Sequence, residues 1–381
     1  MKGRRVMHVI TGLGRGGAEA MLYKLLARST EINFQSTVVS LSDEGVYGEK
    51  IAALGVPVYG LGMLSGMSAP LALLRLRHLI REIDPVLLHA WMYHAGLAAL
   101  VSAQGRPVIL GIRHALHDMQ GEARGTRVVI HLLAHTSHRA ARIVYNSHES
   151  RLHHEQIGYS GRTAKVIPNG FDCEAFRPCP EARERVRREL GVPPEGIVIG
   201  HIGRFHAVKD HDSLLSAFAH LLRQRRHLLL VMAGSRVEPG NDRLMGRIER
   251  SGIRDHVRLL GAREDVPDLI NAFDMLVNCS RSEAFSNVLG EAMACGVPCI
   301  ATDVGDSRRI LGEHGIVTPP RDVASLADAI SRLAGMRAED RTALGLRLRQ
   351  RVVENFGIDR IAREHADLYD AVAVEAEKGV G

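Results

Sequence analysis

No stretch of this 381-residue chain approaches twenty uninterrupted apolar residues, which argues against a membrane-spanning helix. The opening MKGRRVMHVITGLG is basic, but glycines cut its apolar run short, so no secretory leader is expected. Cysteine is scarce. Cys173, Cys179, Cys279, Cys295 and Cys299 form no CxxC pair, and their irregular spacing supports neither a disulfide framework nor a zinc site. Cys279, Cys295 and Cys299 flank apolar runs and read as small buried hydrophobes, which fits a reducing cytoplasm. There is no short-period repeat and no low-complexity tract. Lysine is rare beside arginine: only six of the 49 basic residues are lysine, and Lys209 stands alone between Lys165 and Lys378.

What is present is ordinary for a globular protein, with 45% apolar and 24% charged residues. The length exceeds what one hydrophobic core usually serves, so two domains are expected. The net charge of +6 is uneven: residues 1–170 carry 19 Lys+Arg against 11 Asp+Glu, and the remainder 30 against 32. A basic first half suits an anionic partner such as phosphate, acidic glycan or anionic lipid headgroup, or is simply a solvated face.

Short apolar runs alternate with longer helical patterns. VMHVI precedes a glycine loop and an amphipathic run from Ala18 to Arg28; STVVSL, PVLLHA, PVILGI, ARIVYN and AKVIPN follow. After a charged, proline-containing segment the series restarts with IVIGHIG and continues through HLLLVMAG, HVRLLG, DMLVNCS and PCIATD. Such alternation predicts parallel sheets covered on both faces. The fold class expected is α/β, with two tandem Rossmann-like domains facing a cleft. The expected boundaries are 1–172 for the first domain, 173–195 for a linker, 196–356 for the second domain, and 357–381 for a C-terminal helix packing back on the first.

Three motifs stand at the ends of apolar runs. In TGLGRGGAE, Gly12, Gly14 and Gly17 satisfy G-x-G-x-x-G, which fits amides approaching a phosphate or a tight strand-to-helix turn. Asp43, after the second strand, stands where a dehydrogenase would hold a ribose. In GRFHAVKDHDSLL, Arg204 follows a strand end and Lys209 comes five residues later; a planar fork and a point charge suit a diphosphate, although two solvated cations would look the same. Asp210 and Asp212 form a D-x-D, better explained by Asp212 capping a helix than by a metal. In SRSEAFSNVLGEAMACGVP, Ser286 is expected to cap a helix starting near Asn287 and ending at Cys295-Gly296. The first amides there would attract phosphate, Glu291 could accept from two vicinal hydroxyls, and Glu283 would reach a group on the far side. Dipole complementarity and a solvated loop are the plainer readings of these two glutamates. Among 20 histidines, His89 and His114 follow strands; His89 and His117 read as packing or surface residues, and Trp91 as core.

SEAFSNVLGEAMACGVPCIATDVG closely resembles the E-x7-E signature of retaining, nucleotide-sugar-dependent glycosyltransferases of family four, which have the GT-B fold. GLGRGGAE, VIPNGFD and GRFHAVKDHDSLLSAF resemble other blocks of that family, in the same order. The resemblance implies that Arg204 and Lys209 hold the donor diphosphate and stabilise it as it departs. It implies that Glu291 binds the donor ribose, that Glu283 contacts the sugar near the reacting carbon, and that Phe285, Ser286, Asn287 and Val288 line its pocket. His114 would touch the sugar, and Gly14, Gly16 and Gly17 would lie near the phosphates and the acceptor. Ala284 departs from the family's usual glycine, which leaves the donor sugar open. The resemblance further implies a hexosyltransferase, moving a hexose or N-acetylhexosamine to a glycan or lipid-linked acceptor in polysaccharide or glycoconjugate synthesis. No cofactor, metal or nucleic acid is expected. The expected location is the cytoplasm, with peripheral contact at an anionic inner membrane face. A nucleotide-sugar epimerase of the same fold, a glycan-binding protein and an NAD-dependent dehydrogenase are the competing readings; the last leaves Arg204, Lys209 and both glutamates without a role.

Overall fold

The apolar runs become strands buried on both faces, as LLHAW, VILGI and LLLVMA show along their whole lengths. The computed structural model describes residues 4–28, 34–63, 69–117, 119–223 and 227–378; the start of the basic opening stretch lies outside them. The chain divides into two units, residues 1–170 with 358–381, and residues 171–357.

The first unit holds strands β1 (Arg5–Ile10), β2 (Gln35–Ser40), β3 (Val58–Gly60), β4 (Leu87–Trp91), β5 (Val108–Ile112), β6 (Arg142–Tyr145) and β7 (Ala164–Val166). They form one sheet in the order β3-β2-β1-β4-β5-β6-β7, parallel throughout. Parallel neighbours require crossovers. These run through α1 (Gly17–Leu26), α2 (Gly45–Ala52), α3 (Ala69–Ile83), α4 (Tyr93–Ser102), α5 (Arg124–Thr136) and α6 (His148–Gln156). Strand order reverses between β1 and β4, the kind of switch point where open α/β sheets bind ligands.

The second unit begins with α7 (Pro180–Glu189), then β8 (Ile197–Ile202), α8 (His211–Leu222), β9 (Leu228–Ala233), α9 (Asp242–Arg250) and β10 (Val257–Leu259). It continues through α10 (Val266–Asn271), β11 (Met275–Asn278), α11 (Asn287–Ala294), β12 (Cys299–Thr302), α12 (Ser307–Leu311), β13 (Ile316–Thr318), α13 (Val323–Gly335) and α14 (Ala338–Phe356). Its sheet is also parallel, in the order β10-β9-β8-β11-β12-β13, and reverses between β8 and β11.

Residues 173–195, expected as a linker, lie inside this unit. The reason is electrostatic as well as apolar. Arg183 and Arg187 on α7 pair with the buried Asp274 at 2.6 and 2.8 Å, and Asp274 also accepts from the Val198 amide at 2.8 Å. Burial pushes the Asp274 carboxyl up, but the two guanidinium groups and the amide outweigh it and hold its pKa below the usual value. A charge-rich, proline-bearing sequence therefore forms an integrated helix.

The last helix, α15 (Ile358–Lys378), belongs to the first unit. Ile358, Ile361, Ala362, His365, Leu368, Tyr369, Val372 and Ala373 recur at helical spacing and are buried. Its outer groups make salt bridges with the same unit, Arg4–Asp370 at 3.1 Å and Arg28–Asp359 at 2.7 Å. Trp91 is fully buried and donates to His8 Nδ1 at 3.3 Å. His89 is buried as well, its Nδ1 2.7 Å from the Tyr369 hydroxyl. Among the described residues no helix is long and apolar enough to cross a membrane.

Candidate functional site

The strongest cluster of site residues lies in the second unit, at the carboxyl ends of β8 and β11 where strand order reverses. Gly203 and Arg204 leave β8, and Arg204 is exposed. A short turn, Ala207–Lys209, follows. Three contacts fix it: the Arg281 amide donates to Val208 O at 2.7 Å, Cys279 Sγ to Lys209 O at 3.2 Å, and the Lys209 amide to His206 O at 2.9 Å. The Lys209 stem lies along Gly203, and its ammonium forms an ion pair with Glu283 Oε1. Side-chain exposures of 20% and 15% mark both groups as half-buried, which sets aside the solvated reading of each.

Glu283 is held from below by polar residues at strand ends. The Ser280 hydroxyl lies 2.7 Å from Glu283 Oε1 and 2.8 Å from Asn278 Oδ1, so its one proton serves one of them at a time. Thr302, at the end of β12, donates to Ser280 O at 2.5 Å. Gly305 closes the loop from the other side. Its φ is +57°, and a Cβ there would fall 2.4 Å from Glu283 O, so only glycine fits. The Asp306 amide donates to Ala284 O at 3.1 Å.

Helix α11 starts at Asn287, as expected, but Ser286 does not cap it. Its hydroxyl instead accepts from Asn278 Nδ2 at 2.8 Å, because the buried Asn278 amide needs a partner more than a solvent-facing helix end does. The helix start therefore keeps amides that no Ser286 side chain satisfies. Phe285 is buried and stacks on Phe171, with centroids 5.9 Å apart and planes 19° apart. Gly290 lets the helix approach this pair: a Cβ there would sit 2.1 Å from the Phe171 ring. Val288 and Glu291 are half-buried, Glu291 one turn into the helix.

Asp212 is not the cap of α8 either. Asp210 holds that position at φ +49°, accepting from Ser213 Oγ at 2.7 Å and pairing with Arg281 at 2.5 Å. Burial raises the Asp210 carboxyl, and Arg281 and Ser213 more than compensate, lowering it overall. Asp212 lies in the first turn and pairs with Arg247. Beneath the turn, burial drives the His201 imidazole down to about 3 and the Cys279 thiol up to about 12, so both are neutral near pH 7.

In the first unit, the glycine loop follows β1. Gly14, Gly16 and Gly17 are exposed, with Gly16 at the N-cap of α1 and Gly17 its first residue. Glu19 folds back here: its Oε2 lies where it would meet a Cβ on Gly16 at 2.3 Å, and its carboxylate accepts from its own amide. Burial nonetheless raises its pKa. His114 follows β5, with Nε2 3.0 Å from Glu122 Oε1 and its carbonyl accepting from Ser150 Oγ at 2.6 Å.

Asn278, Ser280, Thr302 and Gly305 escaped the sequence reading. Their signal was there: polar residues ending strands that are otherwise wholly apolar, and a glycine before an acidic residue.

Residues 196–335 match the family described as Glycosyl transferases group 1, and residues 15–175 match Glycosyltransferase Family 4. EpsF of Bacillus subtilis (strain 168), a glycosyltransferase by name, is 30% identical over 87% of this chain and 88% of its own length. The D-inositol 3-phosphate glycosyltransferase of Kineococcus radiotolerans is 29% identical over 98% of this chain and 91% of its own. Among solved structures, Anabaena HepE in complex with UDP-glucose superposes with a TM-score of 0.82 at 22% identity, over 96% of this chain and 99% of that one. The chain belongs to the family-four glycosyltransferases of GT-B fold.

Proposed function

We propose that this glycosyltransferase moves a hexose or N-acetylhexosamine from a nucleotide-diphosphate sugar to a glycan or lipid-linked acceptor, with retention of configuration and without a divalent metal. The observation that carries the reading is the Lys209–Glu283 pair beside the start of α11, at the point where β8 and β11 diverge. A cation, an exposed arginine and helix-start amides together suit a departing diphosphate. Arg204 and Lys209 bind its oxygens, Glu291 takes the ribose hydroxyls, and Glu283 faces the sugar. Phe285 supports the loop from the core, while Ser286, Asn287 and Val288 line the pocket. His114 and the loop of Gly14, Gly16 and Gly17 keep the sugar-side and acceptor-side roles that the family resemblance gives them.

In the reaction the bond between the anomeric carbon and the diphosphate oxygen breaks, and its electron pair leaves with the phosphate. The acceptor hydroxyl bonds to the same carbon on the same face, and its proton passes to the leaving phosphate. Positive charge on the sugar ring and negative charge on the diphosphate both grow as this happens. Preorganised cations and amides stabilise the second without reorganising.

HepE complexes with UDP and UDP-glucose make uridine donors the first to test. The decisive experiment is a thermal-shift screen against nucleoside diphosphates and their sugars, followed by turnover of each binder with candidate acceptors in EDTA. Nucleotide release only with acceptor, and an α-linked product from an α-linked donor by NMR, are the expected results. Nucleotide release without any acceptor dependence would favour a hydrolase, and conversion of the donor to its epimer without nucleotide release an epimerase. Activity abolished by EDTA and restored by magnesium or manganese would refute metal independence.

A further inference from the structure

Helix α6 carries Glu149 and His153 four residues apart, which puts both on one face. Ser147 caps this helix by accepting from the Ser150 amide at 3.0 Å, so the turn bearing Glu149 is fixed. The loop after β5 brings His117 to the same face. Its Nδ1 lies 3.4 Å from Glu149 Oε1, and His153 Nε2 lies 3.8 Å from that oxygen. The two rings meet edge to face with centroids 4.7 Å apart. One donor atom from each residue lies within 4.8 Å of the other two, a combination found nowhere else among the described residues.

Donors bound at about 2.0–2.2 Å around a tetrahedral ion sit roughly 3.4 Å from one another. The observed separations approach that value, so modest side-chain rotation would close the set. We propose that His117, Glu149 and His153 bind one divalent transition-metal ion of the zinc class, with water completing the shell. Two imidazoles and one carboxylate suit such an ion, whereas magnesium and calcium prefer oxygen donors alone. The consequence is positional. Ser150 Oγ already ties α6 to the loop through the His114 carbonyl, three residues before His117. The ion adds a second tie between the same two segments and so steadies the loop that presents His114. The rival account is that Glu149 merely shares hydrogen bonds with two histidines.

The test uses untagged full-length protein stripped with a chelator, then equilibrated with zinc and analysed for bound metal. One tightly held equivalent is expected, with cobalt giving the strong visible absorption of a tetrahedral site. His117→Ala, at an exposed position, should fold normally yet lose that equivalent, binding at least about tenfold more weakly. Glu149→Gln should weaken binding too, while His131→Ala, on the exposed face of α5, should not. Zinc should raise the melting temperature of the wild-type protein and not that of His117→Ala. No stoichiometric zinc, or binding equally strong in His117→Ala, overturns the proposal.

Discussion

The ammonium of Lys209 and the carboxylate of Glu283 pair across 74 residues of sequence, each supporting the other at the edge of a half-buried site. If Lys209 meets the donor diphosphate there, arginine cannot replace it, because the larger planar guanidinium misplaces both the phosphate and Glu283. Loss of one charge-assisted hydrogen bond costs ~1.5–3 kcal/mol, or roughly a tenfold to hundredfold fall in rate. Lys209→Arg is expected to fold and lose most turnover, and Lys209→Ala to lose more. Steady-state kinetics check this; wild-type turnover in the arginine variant would remove Lys209 from the site. Because the two groups touch, a Lys209→Ala/Glu283→Gln double variant should lose less than the sum of the single losses.

The two glutamates should separate kinetically. Glu291 stands on α11 and Glu283 in the loop before it; the proposed function puts the first at the donor ribose and the second at the reacting sugar. Glu291→Gln is expected to weaken nucleoside diphosphate binding several-fold, since a carboxylate accepts from two hydroxyls where an amide offers one oxygen. Glu283→Gln should leave that affinity nearly intact and chiefly slow transfer. Calorimetric titration with nucleoside diphosphate decides: unchanged affinity in Glu291→Gln defeats the ribose assignment.

Acid should destabilise the first unit well before its carboxylates titrate. His8, His89 and His365 are buried, and burial lowers His8 and His365 to about 3 and His89 well below its ordinary value. The folded rings stay neutral while unfolded ones take up protons near the ordinary value of 6.5. Stability from this source is therefore complete above about pH 6.5 and erodes as pH falls toward about 3. Each ring that titrates only when unfolded contributes a slope of about 1.4 kcal/mol per pH unit once the pH is below its ordinary value. Between about pH 6.5 and about pH 5.5 ordinary carboxylates stay largely ionised, so the histidines dominate. Thermal melts across that interval should fall steadily; a flat melting temperature would contradict the buried neutral rings.

The basic first half motivates a test of membrane contact. Leu71 and Leu74 are exposed on α3, beside Arg75, Arg77 and Arg81. Such an amphipathic face fits peripheral docking to anionic lipid. Sedimentation should show binding to anionic liposomes that weakens as salt rises. Equal, negligible pelleting with neutral and anionic liposomes would argue against a lipid-linked acceptor docked by this unit.

Much of this protein is written locally. Parallel strands buried on both faces need continuous apolar runs, so VILGI and LLLVMA disclose the sheets directly. The period of α15 likewise shows one buried face, and the family motifs place Arg204, Lys209, Glu283 and Glu291 at strand ends and a helix start. Other features depend on partners remote in sequence. Residues 173–195 look like a linker until Asp274, some ninety residues on, supplies the buried charge that Arg183 and Arg187 require. Ser286 looks like a cap until Asn278 takes its hydroxyl, and Asp212 until Asp210 adopts the left-handed turn. The Lys209–Glu283 pair and the His117–Glu149–His153 cluster likewise exist only because strand order and loop closure bring their residues together. Periodicity is a property of neighbouring residues and survives in the sequence; desolvation and charge pairing act through space, so only the tertiary structure could decide them.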